Sequence, residues 1–334
     1  MKLATFLAQR AGASHSHASG VTPAGQPDAR SGAQAIGVVD TRSGRILDLA
    51  HAATVIDKRS EPAFRDMLAL IDGGDAALDY ARNLAASWPD AASLPIAGTR
   101  LLAPLPEPRQ IRDCMVFEEH VLNSAKRSKE RTGVERTIEK VWYAQPIYYK
   151  ANRFSVVGHD TVVQWPAYSQ WMDFECEMAA VIGKRGKDIA ADASAMAHIF
   201  GYTIFNDLSA RDTQYNEMGG RLGPAKGKDF DGGNVMGPWI VTSDEIGDPH
   251  TLDMAARVNG ERWGGGNSSK MHHKWPAILA HISNAETIHP GEVIGSGTVG
   301  TGCGMEVGRK LQSGDVVELE IERIGVLRCT VVRA

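Results

Sequence analysis

The chain has 334 residues, 43% hydrophobic and 23% charged, enough for one large or two modest globular domains that need no covalent staples. Lys plus Arg number 36 against 40 Asp plus Glu, and this net charge of −4 argues against a nucleic-acid or polybasic membrane module. Four scattered cysteines without a C-x-x-C pair, and no apolar run near ~18 residues, argue against a disulfide framework, a structural zinc site and a membrane span; a cytoplasmic protein is expected.

In chain order, MKLATFLAQR ends its apolar stretch at Gln9 and Arg10, too early for a secretory leader. Residues 11–35 are low-complexity, rich in small residues, Gly and Pro, and read as an exposed loop or insertion. His15 and His17 within it have no supporting shell for a metal. AIGVVD and RILDLA read as short strands, and residues 62–88 as two helices broken at Gly73 and Gly74. Three prolines between 104 and 108 read as a linker, which divides a small α/β N-terminal domain (1–105) from a larger strand-rich one (106–334). Beyond the linker VVQWP, FECEMAAVIGK, GYTIFND, GPWIVTS, DMAARVNGE and DVVELEIERIGVLRCTVV read as strands. FEEHVLNSAKRSKERTG, SAMAHIF and WPAILAHISNA read as helices, so the fold class is α+β and strand-rich. WGGGNSS and GSGTVGTGCG match no phosphate-loop fingerprint and read as turns, the second lining a pocket.

The strongest chemical signal is WMDFECEMAAVIGK. Strand alternation sets Asp173, Glu175 and Glu177 on one face and Phe174, Cys176 and Met178 on the other. Three carboxylates on one face repel, so either water or a cation must compensate them. Because the run flows into the apolar AAVIG, a buried cation is favoured over a solvated face. Asp207 ends the apolar strand GYTIFND, where the alternative role is a turn or helix cap. Asp113 stands seven residues before His120. A carboxylate set without thiolate suits Mg²⁺, or Mn²⁺ or Ca²⁺, over Zn²⁺.

Taken in order, D-x-x-x-x-x-x-H ending at His120, DFECEMAAVIGK, GYTIFNDLSARD, LGPAKGKDF, the GSGT at Thr298 and the closing GDVVELEIERIGVLR resemble the fumarylacetoacetate hydrolase family from about residue 106 to the C-terminus. The resemblance implies a mixed β-roll or β-sandwich catalytic domain, often a homodimer, acting on a small diketo or keto acid. It implies a metal held by Asp113, Glu175, Glu177 and Asp207. It implies His120 as general base, Glu306 as its acid partner by rough analogy, and Lys228 as an electrostatic stabiliser. Asn123, three residues after His120, fits the branch with the extra Asp. Arg211, Gln214, Tyr149, Lys150 and Thr298 fall at substrate-side positions. Glu118 and Glu119 adjoin His120 on the wrong helical faces to partner it.

These residues suit hydrolysis of a carbon–carbon bond in an acylpyruvate or other β-diketo acid, in aromatic-compound catabolism by family resemblance. Metal-chelated dicarbonyl and His-activated water would supply the two halves of that reaction. The same set serves decarboxylation or keto–enol tautomerisation of an oxaloacetate-type acid, or a hydratase. A catalytically inactive, metal-stabilised scaffold dimer is the reading from another class. The segment 123–150 is expected to order over substrate as a lid. Cys176 and Cys303 are expected as packing residues, with no base placed to activate them.

Overall fold

The computed structural model describes residues 1–8, 33–135 and 137–333. Most of the low-complexity insertion, with His15 and His17, lies outside the described residues. Two main sheets organise the rest: eleven strands in one and five in the other. Among the described residues no helix is long and apolar enough to cross a membrane.

The large sheet is built around the strand Cys176–Ile182, buried along its whole length. It pairs antiparallel with Ile199–Asp207 on one side and Glu292–Gly295 on the other. Glu292–Gly295 runs parallel to Gln110–Cys114, which pairs in turn with Tyr148–Lys150. On the opposite flank Asn234–Thr242 joins Ile199–Asp207, and Lys2–Leu7 joins Asn234–Thr242. The apolar MKLATFL run is therefore a sheet strand, with Ala4 and Leu3 wholly buried. Gln34–Asp40, Arg45–Asp48 and Ser93–Pro95 extend the sheet outwards, so strands from before and after the expected boundary near 105 share one sheet.

Alternation sorts the two faces. Met178, Ala180 and Ile204 pack towards Leu319, Leu327 and Val331 of the five-stranded sheet. Ala179, Val181, Phe205 and Ile111 face a layer containing Leu49, Leu70 and Leu84. Those leucines come from the helices Leu49–Asp57, Met67–Asp72 and Gly74–Ser87. The break falls at Gly73–Gly74, as the residues suggested, and Asp66 caps the second helix by accepting from the Ala69 N–H at 2.8 Å.

The expected long helix spans Glu118–Thr132 and stops at Gly133, whose φ of 73° is the left-handed turn that glycine supplies most cheaply. SAMAHIF forms a 3₁₀ turn, Ala193–His198, and WPAILAHISNA the helix Trp275–Ser283. Glu261–Asn267 is a strand, a departure from the turn expected of WGGGNSS. Its partner Asp253–Val258 supplies the ladder that glycine-rich backbone cannot signal by side-chain pattern.

Candidate active site

Each central carboxylate continues an apolar row by one same-facing step. Ile111, Ala179 and Phe205 point into the helix-covered face of the large sheet. Two residues on from them along their strands stand Asp113, Glu177 and Asp207, all buried. Ligand oxygens of these three lie within 4.8 Å of one another. The space between them exists because Gly295 has no side chain: a Cβ there would sit 2.3 Å from Asp113 Oδ1 and 3.0 Å from Glu177 Oε2.

Burial pushes the carboxyls of Asp113 and Glu177 well above the usual range, and the neighbouring acids push in the same direction. Asp207 is raised too, by burial, although Lys228 pulls against it. Asp113 Oδ1 and Asp207 Oδ1 are buried without a hydrogen-bond partner among the described residues. Crowded, desolvated carboxylates with orphaned oxygens and no thiolate fit a hard divalent cation. Glu177 is aimed by the Gly297 N–H, which donates to its Oε2 at 3.0 Å, and by the Thr298 hydroxyl at 3.4 Å from Oε1.

Glu175 is engaged differently from expectation. Both its oxygens are taken by cations: Lys228 Nζ at 2.6 Å and Arg211 Nη1 at 2.8 Å. Burial would raise this carboxyl, but the two cations outweigh burial and hold it well below its ordinary value. Lys228 Nζ also donates to Asp207 Oδ2 at 2.5 Å, so one buried ammonium bridges two acids. The Tyr149 hydroxyl donates to the same Asp207 oxygen at 2.7 Å.

Asp173 does not join the metal group. The strand breaks at Phe174 and Glu175, between Met172–Asp173 and Cys176–Ile182, which takes Asp173 out of the alternation that carries Glu177. It accepts from Arg211 Nε at 2.9 Å and from the Gly304 and Met305 N–H groups at 2.8 and 3.0 Å. Arg211 thereby ties the turn 301–308 to Glu175, and Gln214 Oε1 accepts from Arg211 Nη1 at 3.0 Å.

That turn carries Glu306. Its Oε2 lies 2.9 Å from His120 Nδ1, an ion-pair distance out of line for a good hydrogen bond. Its Oε1 accepts from the Thr301 N–H at 2.9 Å and from Asn123 Nδ2 at 3.1 Å. Burial lowers the His120 imidazole, but Glu306 outweighs it and the net direction is up. Glu306 moves down for the reciprocal reason: burial would raise it, and His120 more than offsets that. Glu118 accepts from the Tyr143 hydroxyl at 2.7 Å and takes no part in the pair.

Lys150 is a correction. It is exposed, and as the strand neighbour of Tyr149 it points to the opposite face, away from the carboxylates. Of the segment 123–150, the helix Glu118–Thr132 and the short helix Lys140–Ala144 are ordered against the protein, with Trp142 Nε1 donating to the Met115 carbonyl at 2.6 Å. Sequence reasoning missed Gly295, Thr301 and Arg127, whose Nε donates to the Glu306 carbonyl at 3.0 Å. Only Gly295 left a signal, as the first residue of GSGT.

Fold and site together define an enzyme of the fumarylacetoacetate hydrolase family. Residues 115–332 match the family model described as fumarylacetoacetate (FAA) hydrolase C-terminal, and the chain belongs to that family. The oxaloacetate tautomerase FAHD2A, mitochondrial, of Homo sapiens is 37% identical over 268 residues, 79% of this chain and 78% of the relative. Among solved structures, a fumarylacetoacetate hydrolase from Exiguobacterium antarcticum superposes with a TM-score of 0.71 at 28% identity, covering 100% of both chains. A 2-hydroxyhepta-2,4-diene-1,7-dioate isomerase from Mycobacterium marinum gives a TM-score of 0.57 at 33% identity, over 72% of this chain and 81% of that one.

Proposed function

We propose that the protein interconverts the keto and enol forms of a small β-keto dicarboxylic acid of the oxaloacetate kind, with Mg²⁺. The observation that carries this reading is the buried His120–Glu306 pair, wired through Asp173, Arg211, Glu175 and Lys228 to the three-carboxylate centre. The relatives named as a tautomerase and an isomerase support it. Tautomerisation needs a group that takes the proton from carbon while the enolate oxygen gains one, directly or through water, and that reverses both transfers. A histidine whose basicity Glu306 raises above its ordinary value can accept such a proton and donate it again.

A divalent ion held by Asp113, Glu177 and Asp207 would supply Lewis-acid stabilisation of the enolate oxygens. His120 moves the proton at the carbon between the two carbonyls. Glu306 stabilises the imidazolium, and Asn123 with the Thr301 N–H fixes Glu306. The Lys228 ammonium, driven up by Asp207 and Glu175 against the effect of burial, stays protonated and offers a fixed positive charge to the enolate. Arg211 is held between Asp173, at Nε, and Glu175, at Nη1, so its part is positioning. Thr298 aims Glu177. A homodimer in solution is part of the proposal, tested by light scattering.

Hydrolysis of an acylpyruvate is the second reading, supported by the hydrolase among the solved relatives and by the ability of the same pair to draw a proton from water. NMR of the purified protein with Mg²⁺, a panel of acylpyruvates and oxaloacetate in D₂O, with a chelator control, separates them. Faster enol–keto exchange without bond cleavage is expected. Pyruvate with a free carboxylic acid would move the assignment to hydrolase, and pyruvate with bicarbonate to decarboxylase.

A further inference from the structure

The turn 301–308 places a second, chemically different set of ligand atoms beside the first. A ring nitrogen of His120, Cys303 Sγ and a Glu306 oxygen lie within 4.8 Å of one another, and all three residues are buried. Cys303 Sγ is 3.2 Å and His120 Nδ1 2.9 Å from the same oxygen, Glu306 Oε2. His120 Nδ1 itself is buried without an aligned hydrogen-bond partner, and it points at this group.

We propose that His120, Cys303 and Glu306 form a binding site for a thiophilic divalent cation, Zn²⁺ or Cd²⁺, distinct from the all-carboxylate centre and inhibitory when filled. Nitrogen, thiolate and carboxylate together are a borderline-to-soft donor set, which selects Zn²⁺ over Mg²⁺, whereas Asp113, Glu177 and Asp207 offer oxygen alone. Bonds of about 2.0–2.3 Å in a tetrahedral arrangement set ligand atoms roughly 3.4–3.7 Å apart, so the His120–Glu306 and Cys303–Glu306 approaches need to widen by only about half an ångström. Arg211 lies near Cys303 and opposes a cation, but Asp173 and Glu175 already neutralise it.

Binding releases the Cys303 S–H proton, and any proton on His120 Nδ1, to solvent; no redox partner is involved. The cation then occupies both the imidazole nitrogen and the carboxylate oxygen that pair in the free site. His120 loses its Glu306 partner and its capacity to cycle a proton. Cation binding stands apart from the proposed reaction, while inhibition rests on the role assigned to His120.

The experiment is a Cd²⁺ titration of the full chain in excess Mg²⁺, followed by the ultraviolet thiolate-to-cadmium charge-transfer band, alongside Zn²⁺ inhibition of turnover. The expected result is a band saturating at one equivalent and abolished in Cys303→Ser. Zn²⁺ inhibition, taken relative to each protein's own Mg²⁺-supported rate, should be unrelieved by added Mg²⁺ and weakened at least tenfold in the variant. A missing band, or one that persists in Cys303→Ser, overturns the site. Inhibition that excess Mg²⁺ relieves in proportion overturns it also, by placing Zn²⁺ at the carboxylates. Because the cadmium band uses no substrate, its failure is distinct from a failure of the tautomerase reading. Cys303→Ala substitutes if the serine variant does not fold.

Discussion

Gly295→Ala tests the carboxylate centre without touching a charged group. The strand Glu292–Gly295 sets Gly295 directly beside Asp113, and its backbone φ lies outside the left-handed region, so alanine carries no conformational penalty there. The added methyl would sit 2.3 Å from Asp113 Oδ1, against about 3.4 Å for ordinary contact, so one of the two must move by about 1 Å. Glu177 Oε2, at 3.0 Å, must yield a few tenths more. Metal ligands tolerate only about 0.2 Å of error, and Mg²⁺ demands near-ideal octahedral geometry. A shift of this size should weaken Mg²⁺ or Mn²⁺ binding by about 10²-fold and lower turnover at least as far. Overpacking should cost only about 1–3 kcal/mol of stability, leaving a folded protein. Calorimetric titration with Mn²⁺ measures the first effect and thermal unfolding of the metal-free protein the second. A folded Gly295→Ala protein that binds Mn²⁺ as tightly as the parent would refute the placement of the ion among Asp113, Glu177 and Asp207.

The other expectations are simpler. Glu306→Gln removes the charge that raises His120, leaving burial to lower it, so the ascending limb of the pH–rate profile should shift to lower pH while the maximum rate falls about 10²-fold or more. For stability, raised His120 contributes fully below its ordinary 6.5 and loses this as pH climbs through its folded value. Lowered Glu306 contributes above its ordinary 4.5 and loses it as pH falls through its folded value. Denaturant curves should therefore separate parent from Glu306→Gln most between about pH 4.5 and 6.5 and converge outside that window. Asp173→Asn unpairs buried Arg211 and loosens the turn bearing Glu306; urea unfolding should show a loss of about 3 kcal/mol or more. Chelation should abolish turnover and lower the melting temperature, since an ion at 100 times its Kd stabilises by about 2.7 kcal/mol; a melting point indifferent to Mg²⁺ would count against a resident ion.

Residues that carry charge at a strand end could be read from the sequence, because a two-residue period and an apolar neighbour together fix both face and depth. Glu177, two residues from Ala179, and Asp207, two from Phe205, are of this kind. His120 and Glu306 were linked by family likeness alone, since they stand 186 positions apart and the chain between them carries no local signal of contact. The structure supplies their 2.9 Å approach. Asp173 shows the limit of periodicity: a two-residue break in the strand turned a third apparent ligand into the anchor of Arg211. Lys150 shows another, because neighbouring strand residues cannot share a face. Gly295 acts by what it lacks, and an absent side chain has no chemistry to recognise. The Lys2–Leu7 strand was not read as one because its partners lie beyond a low-complexity stretch, at Gln34–Asp40, and more than two hundred residues away, at Ile240 and Val241.

That remote pairing has a consequence for how the molecule keeps itself from sticking to others. Asn234–Thr242 is buried throughout, and at Ile240 and Val241 its outer side is covered by Leu3 and Lys2. Stripped of that cover, this end would expose unmatched backbone groups on a buried hydrophobic strand, a place where another chain could pair. The first residues of the chain thus act as a guard on the strand next to the one that carries Asp207. A fusion or cleavage that loosened them would be felt first as association between molecules in solution, before any loss of the chemistry at the centre.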